Sequence, residues 1–402
     1  MRFIKLISIC ILLFQSCGNE IIPKLGEYRA EIKTKDNSIL PFKFELINES
    51  NKLIMVVEND KETLVYDDII FEADSLKILM PPYDAVIIAK VDNESLYGRY
   101  LKEESGKEAP FFATINNESK FQSDKKANFS LSGKYKTVFR PENPYPGLGL
   151  FTQNGNEVSG TFRKNTGDTR FLSGIIFGDS ILLSTFDGAH PYLIKAEKKG
   201  DSIFGNLHYY SDSITEFWMI EDQGYELADS KTLTKLKDGV QSINFNFKDT
   251  NGKFISLNDI QFKDKVVVVQ ILGTWCPNCL DETQFFLSYI EENPNEDLAF
   301  VGLSVEAAKT EEKAMNRIKN MIDKFNIPYP ILLAQYGGTD KEKFLKKIPM
   351  LENIISYPTT IIIDKSGKVN SIHTGFNGPA TGQAYVDYKE DFKTEIKGLL
   401  EL

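Results

Sequence analysis

The chain has 402 residues, of which 42% are hydrophobic and 26% are charged, and its formal net charge is −10. This composition is typical of folded globular domains and excludes a wholly disordered or fibrous chain. The acidic balance, without a long basic run, argues against a nucleic-acid partner. Four cysteines exclude a disulfide-rich scaffold, and three histidines leave little material for a histidine-based metal centre. We therefore expect two or three domains and no metal site.

The first residues, MRFIKLISICILLFQSC, have the pattern of an export signal. Arg2 and Lys5 precede an apolar stretch over residues 6–14, which is far shorter than the ~20 residues that a membrane-spanning helix needs. The stretch ends at a small residue followed by Cys17, which resembles a bacterial lipobox. The resemblance implies that residues 1–16 are a lipoprotein signal peptide and that Cys17 is lipidated. An ordinary secretory signal, cleaved nearby, is the alternative.

The predicted processing leaves few free thiols. Removal of the signal also removes Cys10, and lipidation occupies Cys17, so that Cys276 and Cys279 remain. These two residues form a single Cys-x-x-Cys pair. In an exported protein, such a pair can cycle between thiols and a disulfide without mispairing.

Residues from about 25 to 222 have the pattern of an all-β region, arranged as a sandwich or a barrel. Phe42, Phe44 and Leu46 alternate with charged residues, which is the period of a half-buried strand. The sequence QNGN at 153–156 predicts a hairpin turn between two such runs. Clusters of Asp, Asn, Ser and Gly recur between short apolar runs, as expected for antiparallel strands.

A faint internal repeat divides this region. Gly26 and Tyr28 recur as Gly133 and Tyr135, and the Gly of LYGRY recurs in IFGNL, each at a shift of 107 residues. A repeat of this kind predicts two related β modules, over 25–120 and 130–222. Chance similarity of turn residues is the alternative explanation.

The pattern changes after a polar stretch at 223–239, which predicts a linker. Val266–Leu272 is an almost continuous apolar run, typical of a parallel strand that is buried on both faces. Helical and strand-like segments then alternate, which predicts an α/β domain with a partly parallel sheet over 240–402. The predicted elements are the strands 299–305, 331–333, 359–364 and 369–374 and the helices 311–325, 341–351 and 385–400, with a further helix directly after the cysteine pair.

The cysteine pair directly follows the buried strand and opens a predicted helix. The N-terminus of a helix stabilises a thiolate and lowers the pKa of a cysteine placed there. Cys276 is therefore the expected nucleophile, and Cys279, one turn further along, is the expected resolving thiol. A structural disulfide, a buried inert pair and a zinc site are the alternatives, although zinc needs about four ligands and no second Cys or His pair lies nearby.

Residues 238–402 resemble TlpA-like, redoxin-type thiol–disulfide oxidoreductases of the thioredoxin-like superfamily. The resemblance is carried by VVVVQILGTWCPNCLDE, by the Tyr357-Pro358-Thr359 segment and by the strand–hairpin–helix ending. It implies a cis peptide bond before Pro358, opposite the cysteines, where the backbone of Tyr357 is presented to an extended substrate. It also implies that Trp275, Pro277 and Thr359 belong to the same substrate-binding surface.

The resemblance further implies a role for Glu282, one helical turn after Cys279, in tuning the protonation of the pair. Thioredoxins proper have a buried aspartate where this chain has Gln270, which shifts the proton-acceptor role onto Glu282. The alternatives are that Gln270 simply satisfies a backbone group in the core and that Glu282 is a surface carboxylate on the first helix. The glycine-rich loop 375–382 is expected to be a structural turn, or else to flank the site with Phe376 exposed to substrate.

The function expected from these features is that of a periplasm-facing, lipid-anchored thiol–disulfide oxidoreductase of the cell envelope. We expect it to reduce disulfide-containing envelope proteins with electrons from a membrane thiol donor, and to need no cofactor beyond its own disulfide. The β region resembles N-terminal modules of Bacteroidetes-type lipoproteins, in particular over GTFRKNTGDTRFLSGIIFGDSILLSTFDGAH. That resemblance implies no chemistry.

Two other functions remain open at this point. Thiol peroxidases share the scaffold, but they place a threonine three residues before the reactive cysteine, where this chain has Gly273, with Thr274 one place late. A binding or scaffolding lipoprotein is the other alternative, because half of the chain lies outside the oxidoreductase region.

Overall fold

A computed structural model describes residues 22–116, 118–211 and 213–402. The predicted signal peptide and Cys17 lie outside the described residues. Two all-β modules precede a C-terminal domain in which four α-helices surround a third sheet. Within the described part of the chain, no helix is long and apolar enough to cross a membrane.

The first β module is one antiparallel sheet of nine strands in the order β4-β3-β2-β1-β9-β8-β7-β6-β5. Its strands are β1 Gly26–Lys33, β2 Ile39–Glu49, β3 Lys52–Asn59, β4 Glu62–Tyr66, β5 Asp68–Glu72, β6 Ser75–Leu79, β7 Ala85–Asp92, β8 Ser95–Lys102 and β9 Lys107–Ile115. Buried and exposed residues alternate along β1 and β2, as the sequence pattern predicts. The sheet curls around a core rich in aromatic side chains.

The second β module also has nine strands, and it closes into a barrel because β11 pairs with both β10 and β12. Its strands are β10 Gly133–Phe139, β11 Tyr145–Asn154, β12 Glu157–Lys164, β13 Gly167–Asp168, β14 Leu172–Phe177, β15 Ser180–Thr185, β16 Tyr192–Lys199, β17 Ser202–Tyr209 and β18 Ile214–Glu221. The predicted hairpin is present, with a turn reduced to Gly155 and Asn156.

The two modules share most of their topology. In both, the first strand pairs with the second and the last, and the remaining strands follow as an antiparallel meander. Strands β1, β7 and β8 begin 107 residues before β10, β16 and β17. The weak sequence repeat therefore reflects two copies of one architecture.

A loop of the second module plugs the first. Phe186, directly after β15, is fully buried, and its ring stacks on Phe42 of β2 with the centroids 4.1 Å apart. The backbone carbonyl of Phe186 accepts a hydrogen bond of 2.9 Å from the Asn59 side chain. The Tyr100 hydroxyl donates to the carbonyl of Gly188 at 3.0 Å. The core of the first module is thus completed by residues of the second.

The C-terminal domain has a mixed seven-stranded sheet in the order β20-β19-β23-β22-β21-β24-β25. The pairs β21–β22 and β22–β23 are parallel, and the other pairs are antiparallel. Its strands are β19 Asn246–Lys248, β20 Phe254–Ser256, β21 Val266–Leu272, β22 Leu298–Val305, β23 Ile331–Gln335, β24 Thr359–Ile363 and β25 Val369–Thr374. Its helices are α1 Pro277–Glu292, α2 Glu311–Phe325, α3 Lys341–Leu345 and α4 Gln383–Leu400.

Helix α3 is shorter than the predicted helix over 341–351. It ends at Leu345, four residues before Pro349. A proline ring clashes with the carbonyl four residues earlier, so Pro349 prevents the helix from continuing.

The predicted linker at 223–239 is docked on the C-terminal domain. The Ser230 hydroxyl lies 2.7 Å from Nε2 of His373, and the backbone N–H of Lys235 donates to Asn353 at 3.0 Å. Leu236 forms a β-bridge with Leu351. This segment therefore fixes the C-terminal domain to the β modules instead of acting as a free tether.

Candidate active site

The cysteine pair lies where the central strand of the C-terminal domain passes into its first helix. Every residue of β21 is buried, and Pro277 is the first residue of α1. Cys276 is the N-cap, and its Sγ lies 3.2 Å from the backbone N of Cys279. The two cysteines are joined by a disulfide. When the pair is reduced, this N–H and the helix N-terminus would stabilise a thiolate on Cys276.

The Tyr357–Pro358 segment lies opposite the pair, and its peptide bond is cis, as the resemblance implies. The carbonyl oxygen of Tyr357 lies 3.6 Å from Sγ of Cys276. Trp275 is partly exposed, and its ring meets that of Tyr357 edge-on with the centroids 6.0 Å apart. Pro277, Pro358 and Thr359 are buried. Of the five predicted substrate-binding residues, Trp275 and Pro277 flank Cys276 in the chain and Tyr357 faces it, and only Trp275 is partly open to solvent.

Glu282 is fully buried on α1 and accepts three hydrogen bonds. The donors are the Tyr388 hydroxyl at 2.8 Å, the Thr360 hydroxyl at 2.9 Å and Nε2 of Gln270 at 2.9 Å. Gln270 also donates to the carbonyl of Cys279 at 3.2 Å, so it links the carboxylate to the backbone of the predicted resolving cysteine. Burial raises the pKa of Glu282 to about 7. The expected role of Gln270 in satisfying a backbone group is confirmed.

A second buried carboxylate, Glu306, holds the loop before the cysteines and was not found from the sequence. It accepts hydrogen bonds from the backbone N–H of Thr274 at 3.0 Å and from the Thr274 hydroxyl at 2.7 Å. Its neighbour Val305 accepts from Nε1 of Trp275 at 2.9 Å. Burial raises the pKa of Glu306. The sequence feature that could have identified Glu306 is its position as a lone acidic residue directly after the apolar run of β22.

The loop 375–382 is a structural turn, as expected, and the alternative in which Phe376 is exposed to substrate is wrong. Phe376 is fully buried, and its ring packs edge-on against Tyr388 with the centroids 5.0 Å apart. Its carbonyl lies 3.4 Å from Nδ2 of Asn278, so the loop 375–382 contacts the pair through its backbone. His373 is also structural: burial lowers its pKa to about 4, and its Nδ1 lies 3.0 Å from the Gly375 carbonyl.

The second β module reaches the same site, a contact that the sequence did not predict. The segment Asn165–Arg170, called here the 165–170 segment, connects β12 to β14 and includes β13. The carbonyl of Thr166 accepts a hydrogen bond of 3.0 Å from the hydroxyl of Ser356, two residues before Pro358. Gly167 packs so closely on Asn278 that a Cβ at position 167 would lie 2.8 Å from that side chain.

Charged residues anchor the 165–170 segment. The guanidinium of Arg170 lies 2.7 Å from Glu62 of the first β module and 3.0 Å from Asp281 of α1. Asp168 accepts a hydrogen bond of 2.6 Å from the backbone N–H of Gly378. The two β modules and the C-terminal domain therefore meet at Arg170, and its buried charge is compensated by two carboxylates.

Across the residues that the structure describes, no three His, Cys, Asp or Glu side chains are placed to hold a metal ion. The arrangement instead offers a disulfide at a helix N-terminus, a cis-proline loop facing it and a buried carboxylate behind it. Such a site can exchange thiols with a disulfide-containing partner.

Comparisons with known proteins find similarity to thiol–disulfide oxidoreductases and related families. Residues 239–372 match the family model described as the AhpC/TSA family. The chain is similar to the thioredoxin-like protein YneN of Bacillus subtilis, at 29% identity over 146 residues, covering 36% of this chain and 76% of the relative. It is also similar to the thiol-disulfide oxidoreductase ResA of the same organism, at 26% identity over 140 residues, covering 35% of this chain and 69% of the relative.

Among solved structures, a thiol:disulfide interchange protein of the thioredoxin family from Chlorobium tepidum is similar to this chain. The identity is 21% and the TM-score is 0.30, and the match covers 40% of this chain and 96% of that one. The family match lies within the C-terminal domain and includes both cysteines and Pro358.

Proposed function

We propose that this chain, whose C-terminal domain is a redoxin-type thiol–disulfide oxidoreductase, reduces disulfides of exported proteins by cycling Cys276 and Cys279 between dithiol and disulfide. The observation that carries the proposal is the placement of Cys276 Sγ at the start of α1, 3.6 Å from the carbonyl before a cis-proline. The proposal requires no cofactor beyond this disulfide.

In the first step, the Cys276 thiolate attacks one sulfur of the substrate disulfide. A bond forms between Cys276 and that sulfur, the substrate S–S bond breaks, and the other substrate sulfur leaves as a thiolate that takes up a proton. The N–H of Cys279 and the α1 N-terminus favour the attacking thiolate. The backbone of Tyr357 is placed to align an extended substrate segment.

In the second step, Cys279 attacks Cys276 and releases the second substrate sulfur. Cys279 must first lose its proton, and Glu282, buried one turn further along α1, is the acceptor that we propose, while Gln270 joins its carboxylate to the Cys279 backbone carbonyl. A carboxylate whose pKa is about 7 can hold and release a proton near neutral pH. Two electrons and two protons pass to the substrate, and the enzyme is left with the disulfide Cys276–Cys279.

Peroxidase chemistry receives less support from the site. Thr274 is 1% exposed and its hydroxyl donates to Glu306 at 2.7 Å, so the hydroxyl is not presented to a peroxide beside Cys276. Gly273 offers no side chain in its place. The thiol-exchange reaction is therefore the function that these contacts favour.

The decisive test compares Cys276→Ser and Cys279→Ser in the reduction of insulin disulfides. Cys276→Ser removes the nucleophile, so reduction should fall to the uncatalysed rate. Cys279→Ser keeps the first step but blocks release, so a mixed disulfide with the substrate should accumulate and be visible by mass. If Cys276→Ser retains its activity, the mechanism is wrong.

The proposal also places the protein in the cell envelope, anchored to the membrane by lipid on Cys17 and re-reduced by a membrane thiol donor. The export-like N-terminus supports this assignment. Expression of Cys17→Ala in a bacterial host should move the protein from the membrane fraction to a soluble fraction. If both forms fractionate alike, the lipid anchor is excluded while the thiol chemistry is unaffected.

A further inference from the structure

The 165–170 segment covers part of the site where a substrate must bind. It touches three elements that border the disulfide: Asn278 between the cysteines, Ser356 beside the cis-proline loop, and Gly375 after the last strand. Gly375 has φ +74°, and a Cβ there would lie 2.8 Å from the carbonyl oxygen of Asn165. Backbone from two domains is therefore in direct contact beside the pair.

This contact restricts the approach to Cys276. Thiol exchange requires the substrate sulfur to reach Sγ, yet Cys276 is only 6% exposed. An extended substrate would bind along the Ser356–Pro358 backbone, where the Ser356 hydroxyl already donates to Thr166. Thr166 itself is exposed at the tip of the segment. The space beside the pair is thus bounded by a residue that is open to solvent.

The segment is held in place by buried contacts. Arg170 bridges Glu62 and Asp281, with the side chains of all three about one-tenth exposed. Asp168 accepts from both Arg170 N–H and Gly378 N–H, at 2.6 Å each. Charge-assisted hydrogen bonds in such surroundings are strong, so the segment is a firm wall of the site.

We propose that the 165–170 segment is the specificity element of the redox site, and that it admits small or extended disulfides while it excludes bulky folded ones. This inference rests on the proposed thiol-exchange function. It gives the second β module a task in the reaction: the module bounds the entrance through which a partner disulfide reaches Cys276.

The test measures the rates at which the reduced full-length protein reduces oxidised glutathione, as the small disulfide, and insulin, as the folded one. Two variants are expected to change the ratio of these rates in opposite directions. Thr166→Trp adds bulk at the exposed tip, and Asp201→Trp is its control at an exposed turn of the same module. Arg170→Met weakens the anchor, and Arg140→Met, which replaces an arginine lying over the Tyr145 ring, is its control.

We expect Thr166→Trp to lower the insulin rate several-fold and leave the glutathione rate within twofold of wild type. Arg170→Met should raise the ratio of the insulin rate to the glutathione rate about tenfold, because it removes the ion pairs that hold the segment against the site, and a lost buried charge-assisted hydrogen bond is worth at least that factor. Both controls should behave like the wild type.

If Thr166→Trp has the wild-type ratio of the insulin rate to the glutathione rate, the inference is wrong. This outcome is decisive whether or not Arg170→Met folds, because the Trp substitution lies on the surface. A ratio that falls in a folded Arg170→Met also overturns it, since the segment would then be assisting folded substrates. If wild-type protein reduces neither substrate, the proposed function fails instead, and the two failures are thereby distinguished.

Discussion

The two β modules share most of their strand order but differ in what their loops do. The sheet of the first module has β4 and β5 as its edges, whereas the second module closes through the β11–β12 and β12–β14 pairs. Two connections of the second module reach outward. The loop that begins at Phe186 enters the first module, and the 165–170 segment reaches the cysteine pair.

This difference shows how a repeated architecture can acquire unequal roles. The strands that define each module are retained, while the connections at the ends of β12 and β15 have become interfaces. The second module therefore joins the first module to the C-terminal domain. The first module makes its own contacts with α2, where Lys324 lies 3.0 Å from Asp67 and Arg317 lies 3.4 Å from Glu104.

We expect Phe186→Ala to cause the largest loss of stability, because it removes the aromatic contact between the two β modules. The fully buried ring stacks on Phe42, and removal of a buried Phe costs about 3–5 kcal/mol of unfolding free energy. We expect the unfolding curve in urea to separate into two transitions, because the first module loses its plug. Phe162→Ala removes a fully buried ring within the core of the second module and is the matched control. A single wild-type-like transition in Phe186→Ala would contradict the claim that Phe186 completes the core of the first module.

Glu282→Gln tests whether the C-terminal domain, unlike the β modules, contributes a pH-dependent part of the stability. The folded pKa of about 7 lies above the ordinary value of 4.5. A raised carboxyl pKa contributes stability that is complete below pH 4.5 and is lost as the pH rises through 7. The variant lacks this loss, so its stability relative to wild type should rise by about 3 kcal/mol between pH 4.5 and 7.5.

Urea unfolding of the oxidised proteins across this pH range measures the difference. Glu291→Gln makes the same substitution at an exposed position of α1 and should show no such trend. If the difference between Glu282→Gln and wild type does not depend on pH, the buried carboxyl has no raised pKa. Its proposed part in proton transfer would then lose its support.

The sequence predicted the elements whose signal is local. The apolar run of β21, the cysteines at the start of α1 and the Pro358 segment lie at the expected places, because each depends on neighbouring residues. The repeat at a shift of 107 residues was visible for the same reason, since turn glycines recur at fixed strand ends.

The interfaces could not be predicted in this way. Arg170 and Asp281 lie more than a hundred residues apart, and no periodicity connects them. The segment that resembles modules of Bacteroidetes-type lipoproteins contains both the 165–170 segment and Phe186, but a resemblance without geometry does not say what these loops contact. The orientation of Phe376 was left open, because a glycine-rich loop does not reveal whether its one aromatic residue packs inward.

The measurement that tests the central claim most directly is the redox equilibrium of Cys276–Cys279 in a soluble form without residues 1–17. It is titrated against glutathione and dithiothreitol buffers, with the fluorescence of the adjacent Trp275 as the signal. The proposed reductase predicts a potential near that of thioredoxin, about −270 mV. A potential near that of the strong oxidant DsbA, about −120 mV, would mean that the protein inserts disulfides and would contradict the assignment.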